Sequence, residues 1–260
     1  MLIGGTTQLD HTRILLGIWT AADQEVAAAT AAGYVIPVEL RRIGRHAQNQ
    51  LKRARHRWAA HLPDHEQQMS PAEEHRLADF QRNALDLITD MRVRRTADMR
   101  RTATAEIRAL EELAHGRLLS LRSAVADQRR HAFATNQQAG IGPLHNALVE
   151  ITLAIEEVLA TAQIITTELA SVAAGIDRPL VIPMDQIKHI HDRIRCALRL
   201  LDKSDTAVTE LDRGSHYLRQ PGYAIKRFAG ADACPFVQTY VSQFLVPALD
   251  RCLASLPELP

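Results

Sequence analysis

Aromatic residues are scarce in this chain of 260 residues, since Phe, Trp and Tyr together make up 4% of it. Cys196, Cys234 and Cys252 are too few and too unevenly spaced for a disulfide framework or a CxxC metal knuckle. No run of about eighteen uncharged apolar residues occurs, and no cationic segment precedes the first apolar residues of the N-terminus. These absences favour a cytoplasmic protein without a membrane span.

The sequence motifs of several enzyme classes are also missing. The chain has no Gly-x-Ser-x-Gly elbow, no Gly-rich phosphate loop and no Asp-rich pairs for magnesium. Glu112 and His115 form one Glu-x-x-His pair, whereas a carboxylate di-iron bundle requires two such pairs and two further glutamates. The sequence therefore predicts no catalytic residue, and it weighs against an enzyme without excluding one.

The twelve histidines do not form a metal-binding pattern. His61 and His65 are four residues apart, but Pro63 interrupts the helix between them. His189 and His191 are two residues apart, so their side chains point in different directions on a helix. The sequence predicts neither a metal ligand nor a cofactor, and it leaves a small-molecule ligand undetermined.

What the sequence has in abundance is residues that favour helices, chiefly Ala, Leu, Glu and Arg. A first helix is predicted to begin at Asp10, as its N-cap, and to end near Gly33. Pro37 is expected in the first turn of a second helix. Ser70-Pro71-Ala72-Glu73 has the pattern of a capping box and predicts the start of a third helix.

The second helix is predicted to have two different faces. Apolar residues that fall within one arc of about 100° when projected as a helix are Leu40, Ile43, Ala47, Leu51, Ala54, Trp58 and Leu62. The opposite side carries the candidate nucleic-acid-binding residues Arg41, Arg42, Arg45, Lys52, Arg53, Arg55 and Arg57, with no carboxylate between them. Phosphate neutralisation is one interpretation of these cations. An anionic lipid surface, a protein contact and a solvated face are the alternatives.

Strong helix formers continue from Pro71 almost to Gly140, which allows one helix of about seventy residues. The segment RVRRTADMRRTATAE, residues 92–106, has little apolar stripe, and a kink or a solvent-spanning stretch is expected there. Gly140-Ile141-Gly142-Pro143 combines a glycine stop with a proline start, so it predicts the corner of an antiparallel helical hairpin.

Beyond this corner, apolar residues recur in steps of three and four from Ile141 to Ile176, as in a coiled-coil seam. The interaction seam is represented by Leu148, Ile151, Ile155, Val158, Ile165, Leu169 and Val172. Leu153, Leu159 and Ile164 lie off this seam. The helix therefore has more apolar surface than a single partner helix would cover.

These patterns predict an all-α fold, an elongated helical bundle built on a long antiparallel, coiled-coil-like hairpin. The expected parts are N-terminal helices in 1–62, the hairpin in 63–177 and a helical subdomain in 178–260, with a single domain as the alternative. The predicted function is a non-enzymatic assembly or scaffold protein that forms a homo-oligomer or binds a helical protein, with non-specific nucleic-acid contact as a subsidiary expectation. The alternative is a helical-bundle enzyme or a metal- or ligand-binding protein with its site inside the bundle.

Overall fold

The computed structural model describes residues 7–31, 36–60, 68–173, 182–201, 205–219 and 235–259, without the side chains of 31, 57–60, 172–173 and 205–206. The fold is all-α, as the sequence predicts. Its α-helices in the described part are α1 (Gln8–Ala31), α2 (Val38–Ala60), α3 (Pro71–Glu112), α4 (Leu119–Ala134), α5 (Gln138–Ala173), α6 (Met184–Leu200), α7 (Asp205–Arg219), α8 (Phe236–Tyr240) and α9 (Val246–Ser255). Two π-helical segments, Leu113–Leu118 and Val241–Leu245, lie between α3 and α4 and between α8 and α9.

The chain divides into two compact units. Unit 1 comprises residues 1–98 with 177–179, and unit 2 comprises residues 99–176 with 180–260. The three-part division with boundaries at 62 and 177 stays a prediction. Within the described ranges, no helix is both long enough and apolar enough to span a bilayer.

The core of unit 1 is formed by α1, α2 and the first half of α3. Leu15 and Ile18 of α1 pack with Ala47 of α2 and with Leu77 and Ala84 of α3. A second cluster contains Ala22, Leu40 and Ile88, again one from each helix. In the apolar arc of α2, Leu40, Ala47 and Ala54 are buried and Ile43 and Leu51 are half-buried. The side chain of Trp58 and all of Leu62 lie outside the described residues.

Hydrogen bonds at two helix starts explain where α1 and α3 begin. Ser70 and Glu73 form the predicted capping box: Glu73 N donates to Ser70 Oγ at 3.4 Å, and Ser70 N donates to Glu73 Oε2 at 3.0 Å. The expectation that Asp10 is the N-cap of α1 is wrong, because Thr7 holds that position. Asp10 N donates to Thr7 Oγ1 and Thr7 N to Asp10 Oδ2, each at 3.2 Å. Hydrogen bonds from Thr7 lower the pKa of Asp10.

Helical backbone runs without interruption from Pro71 to Ala134, through α3, the first π-helical segment and α4. The segment 92–106 is not the solvent-spanning stretch that was one of the two expectations, since α3 buries one side chain on nearly every turn there, while the alternative expectation of a kink stays a prediction. Those buried residues are Arg95, Met99, Thr102, Ala103 and Glu106. The helix keeps its buried face through this segment, but polar residues occupy part of it.

The predicted corner at Gly140–Gly142 is wrong, because the turn lies at Thr135–Gln137 and Gly140 already belongs to α5. Asn136 has a φ of 56°. Gln137 N donates to Ala132 O at 2.9 Å and Asn136 N to Phe133 O at 3.2 Å, the two bonds of a Schellman motif. Across this turn α4 and α5 pack together. The antiparallel register and coiled-coil character of the hairpin stay predictions.

In unit 2, α5 packs against both α4 and α6, and α6 packs against α7. Arg193 of α6 links two turns of α5: its Nη1 donates to Glu150 at 3.1 Å and its Nε to Glu157 at 2.5 Å. Hydrogen bonding to Glu157 is the main reason that the pKa of Arg193 is raised. This pairing fixes the register of α6 on α5.

An aromatic cluster joins α7 to α8 and to the π-helical segment that follows. The Tyr217 ring stacks on Phe236 with centroids 5.0 Å apart, and it also contacts Tyr240 and Phe244. Gly214 faces this cluster, and a Cβ at this position would lie 2.9 Å from Tyr240 Cε2. The close approach of α7 to these rings therefore depends on a glycine.

Candidate functional site

The exposed side of α2 carries the cations predicted from the sequence. We define the α2 cationic face as Arg41, Arg42, Arg45, Lys52, Arg53 and Arg55, which are all exposed. Arg57 lies in α2, but its side chain is outside the described part of the chain. Leu40 and Ala47, on the opposite side, are fully buried. Hydrophobic burial thus holds the helix in place while the cations face outwards.

The cations of this face have no salt bridge to a carboxylate of the described residues within 4.0 Å. One of these cations makes a hydrogen bond within the helix: Arg45 Nε donates to the carbonyl oxygen of Arg41 at 3.3 Å. Gln48 and Asn49 lie among the cations as neutral polar residues, and His46 contacts the Phe80 ring at 4.9 Å. The face is therefore a cationic surface whose charges are not matched within the described structure.

The interaction seam of α5 is largely covered by the chain's own helices. Ile151, Ile155, Val158 and Ile165 are buried, and Leu148 and Leu169 are half-buried. The side chain of Val172 is outside the described residues. α4 and α6 both pack against α5, and most of the exposed apolar residues of α5 lie on the side opposite the seam.

That opposite side of α5 has exposed apolar residues. Val149 is 43% exposed and Ile164 38% exposed, and Leu153 between them is half-buried. Steps of four and eleven residues separate these three positions, so they lie along one stripe of the helix. Leu159, which the sequence also places off the seam, is exposed at a different angle.

Glu112 and His115 are both exposed, and the helix changes to π geometry between them. The wider π turn removes the regular spacing that would place a carboxylate and an imidazole on one face. In the described part of the chain, no group of three or more His, Cys, Asp or Glu residues is arranged to hold a metal ion. His61 and His65 lie outside the described residues.

A cleft between α6 and α7 is a site that sequence reasoning missed. Its volume is about 350 Å³. The lining residues are Lys188, His191, Asp192, Arg195, Asp212, Ser215, His216, Leu218 and Arg219. We refer to it as the α6–α7 cleft. It is mostly polar, with three permanent cations and two carboxylates on its walls.

His191 lies at the inner wall of this cleft and is only 3% exposed. Its Nδ1 is 2.6 Å from the hydroxyl oxygen of Tyr240, which is fully buried. Burial lowers the pKa of His191 and raises that of Tyr240 well above its usual value, so both groups are neutral near pH 7. The sequence signal was available: His191 lies in the apolar stripe of α6 with Ile187 and Ile194.

Two charges of the cleft neutralise each other. Arg195 Nε lies 2.7 Å from Asp212 Oδ1, and the two residues connect α6 with α7. Ser215 donates to the carbonyl oxygen of Asp212 at 2.7 Å, so its hydroxyl proton is already used within α7. The charges left for an occupant are those of Lys188, Asp192 and Arg219.

Comparison of this chain with protein-family models, with curated proteins and with solved structures found no match.

Proposed function

We propose that this chain is a non-enzymatic helical assembly protein of a reducing, cytoplasmic compartment, which associates with itself or with another helical chain and contacts nucleic acid without base specificity. The observation that carries the proposal is the α2 cationic face: six exposed cations that no carboxylate of the described structure matches. Cys196 and Cys252 as free thiols agree with the compartment.

The dimensions of the α2 cationic face suit a phosphate backbone. From Arg41 to Arg55 the helix rises about 21 Å at 1.5 Å per residue. Arginine and lysine along such a length contact several phosphates and release the counterions condensed on them, which gives affinity that is independent of sequence. The net charge of the whole chain is only +1, so the attraction must be local to this face.

The assembly part of the proposal rests on α5. Val149, Leu153 and Ile164 form an apolar stripe on the side of the helix that faces neither α4 nor α6. Covering such a stripe with a helix of another chain removes apolar area from water. This burial stabilises the association by roughly 25 cal/mol for each Å² of apolar surface. Self-association through this stripe is the form of assembly that we propose to test first.

The nucleic-acid test compares Arg53→Gln plus Arg55→Gln with a control that removes the same charge, Arg13→Gln plus Arg82→Gln. Both control side chains are 71% exposed and lie on α1 and α3. We expect the wild type and the control to bind a mixed-sequence duplex with a steep salt dependence, measured by fluorescence anisotropy. The α2 variant should bind more weakly, with a salt slope smaller by about one to two, since each phosphate contact contributes about 0.9.

Several results would contradict nucleic-acid contact. One is duplex affinity that stays constant between low and moderate salt, and another is an equal loss in the α2 variant and in the control. Binding to phosphatidylserine vesicles that exceeds binding to the duplex would assign the face to a lipid surface instead.

The assembly test uses light scattering across a concentration series. We expect a mass above that of the 28.9 kDa monomer for the wild type and a shift towards the monomer for Val149→Glu plus Ile164→Glu. Ser123→Glu plus Ala254→Glu adds the same charge at exposed positions of α4 and α9 and should leave the mass unchanged. A wild type that is monomeric at high concentration would refute self-association.

The alternative function is that of an enzyme or metal carrier with a site inside the bundle. Metal analysis of the purified protein distinguishes this alternative from the proposed assembly protein. Stoichiometric iron, manganese or zinc in the purified protein would overturn the non-enzymatic proposal.

A further inference from the structure

The α6–α7 cleft has the size of a small-molecule site and is independent of the α2 cationic face. Its volume of about 350 Å³ lies within the range of ligand pockets, which begins at about 300 Å³. It is formed entirely within unit 2, by two helices that the Arg195–Asp212 pair holds together. His191, at the inner wall of the cleft, is supported by Tyr240, which packs in the aromatic cluster.

The hydrogen bond between His191 and Tyr240 determines which proton the imidazole offers. Tyr240 has no other hydrogen-bond partner among the described residues, and burial keeps its phenol protonated. If Nδ1 carried the proton, the phenol proton would be buried without an acceptor, at a cost comparable to a lost hydrogen bond. The phenol therefore donates to Nδ1, and the neutral ring carries its proton on Nε2.

His191 has no second hydrogen-bond partner among the described residues, although the residue lines the cleft. Its Nε2–H is therefore a donor that remains for an occupant. The ring is held in place by the Tyr240 hydroxyl and by burial, so this donor is fixed in direction before anything binds.

Charge then selects the occupant. With Arg195 and Asp212 paired, Lys188 and Arg219 contribute two positive charges to the cleft and Asp192 one negative charge. Lys188 also has a carboxylate outside the cleft nearby, Asp185, whose Oδ1 lies 3.5 Å from Lys188 Nζ. Asp185 is 87% exposed, so this ion pair is weak in water and competes little with an occupant for Lys188. Two cations and an oriented N–H donor favour the oxygens of a phosphate or carboxylate. Asp192 adds an acceptor for a hydroxyl group of the same molecule.

We propose that the α6–α7 cleft binds a small organic oxyanion, a hydroxylated phosphate ester or carboxylate, through Lys188, Arg219 and the Nε2–H of His191. Tyr240 is a positioning residue, since it acts on the ligand only through His191. The proposal does not depend on the nucleic-acid contact of α2.

The first experiment is calorimetric titration of the full chain with three probes: glucose 6-phosphate, malate and glucose. We expect binding of glucose 6-phosphate or malate in the millimolar range or tighter, and none of neutral glucose. The two charged probes distinguish a phosphate from a carboxylate ligand. Lack of binding by both, or equal binding of glucose, would overturn the proposal.

The second experiment locates the site with variants that keep the core intact. Arg219→Gln and Lys188→Gln should each weaken the bound probe about tenfold, because each removes a charge-assisted hydrogen bond. Arg199→Gln and Arg213→Gln remove exposed cations of α6 and α7 that do not line the cleft, and they should have no effect. Equal losses in all four variants would show that binding follows net charge and would refute this site.

The third experiment observes His191 directly, by long-range ¹H–¹⁵N spectra of its ring in the wild type and in Tyr240→Phe. We expect the Nε2–H tautomer in the free wild type and a shift of the Nε2 signal when the probe binds. Tyr240→Phe should lose the tautomer preference while the protein remains folded. An Nδ1–H tautomer in the wild type, or a bound probe that leaves Nε2 unshifted, would remove His191 from the site.

Discussion

Glu25 shows how a charged residue is accommodated inside unit 1. It is fully buried on α1, and it accepts two hydrogen bonds from Arg95 of α3, at 3.1 and 3.3 Å. Arg92 approaches the same carboxylate at 3.7 Å from an exposed position. A buried carboxylate with these partners is tolerable, but either charge left alone would be costly. The pair therefore specifies how α1 and α3 align, rather than adding much net stability.

This interpretation predicts unequal effects of single and double substitutions. Glu25→Gln should lower the free energy of unfolding by about 3 kcal/mol, because the two hydrogen bonds from the buried Arg95 guanidinium no longer end on a charged carboxylate. Glu25→Leu with Arg95→Leu should lose less than Glu25→Gln alone, since both members of the buried pair are then removed together. Urea denaturation of the three proteins gives the comparison, and a double variant that is clearly less stable than the single one would contradict it.

A second prediction concerns the close packing at Gly214. In Gly214→Ala, the new Cβ would lie 2.9 Å from Tyr240 Cε2 and 3.0 Å from Phe244 Cβ. We expect a loss of about 1–3 kcal/mol in the free energy of unfolding, because the aromatic cluster must shift. Gly142→Ala is the control: nothing lies within 4 Å of its Cβ, and alanine should stabilise α5 by about 0.5–1 kcal/mol. A neutral Gly214→Ala in thermal or urea unfolding would disprove the packing requirement.

The residues of the α6–α7 cleft are only partly predictable from the sequence. His191 is one of two closely spaced histidines, and its position in the apolar stripe of α6 indicates that it is buried. Its partner Tyr240 is forty-nine residues away and reaches it only through tertiary packing. Periodicity indicates that a residue is buried, but it does not identify the partner, so the cleft could not be predicted.

At the scale of helices, the sequence patterns that correctly predict structure are short motifs and periodicities within a single helix. The Ser70–Glu73 capping box is one, and the two-faced α2 is another, since its period alone separates the buried from the exposed side. The prediction for the turn between α4 and α5 is wrong because glycine and proline commonly mark helix ends, whereas Gly140 and Pro143 both lie in the first turns of α5. The Schellman motif at Asn136 depends on backbone bonds that composition does not show. The stripe through 92–106 was missed because its buried positions include Arg95 and Glu106.

The position of the turn between α4 and α5 can be tested at Asn136. Its φ of 56° lies in the left-handed region, where glycine is unstrained, asparagine is tolerated and β-branched residues are strained. Asn136→Gly should leave the free energy of unfolding unchanged or raise it slightly, whereas Asn136→Val should lower it by about 1–2 kcal/mol. At Gly140, which is helical and already glycine, the order should be reversed: Gly140→Val should leave the free energy of unfolding unchanged or raise it slightly, since glycine is the poorer helix former. Thermal unfolding measures both series.

At the scale of the whole molecule, charge is distributed unevenly although the net charge is only +1. Cations concentrate on α2, whereas His191, Tyr240 and Cys252 of unit 2 are buried and neutral near pH 7. Cys252 is fully buried in α9, and burial raises the pKa of its thiol to about 11 from 9.0. Tyr240 is shifted in the same direction and for the same reason. Unit 2 therefore contains two groups that resist deprotonation only while it is folded.

Alkaline pH should consequently destabilise the protein. Between pH 9.0 and about 11 the Cys252 thiol is ionised in the unfolded chain but still protonated in the folded one. Folding then requires the uptake of a proton, so the free energy of unfolding falls as pH rises, by up to about 2–3 kcal/mol for this thiol. Cys252→Ala removes this contribution. The free energy of unfolding of this variant should therefore fall less steeply with pH than that of the wild type. Urea denaturation between about pH 8 and about pH 11 measures both. Cys196→Ala changes an exposed thiol and is the matched control, which should retain the wild-type slope. Identical slopes for Cys252→Ala and the wild type would mean that the buried thiol does not contribute to the alkaline loss of stability.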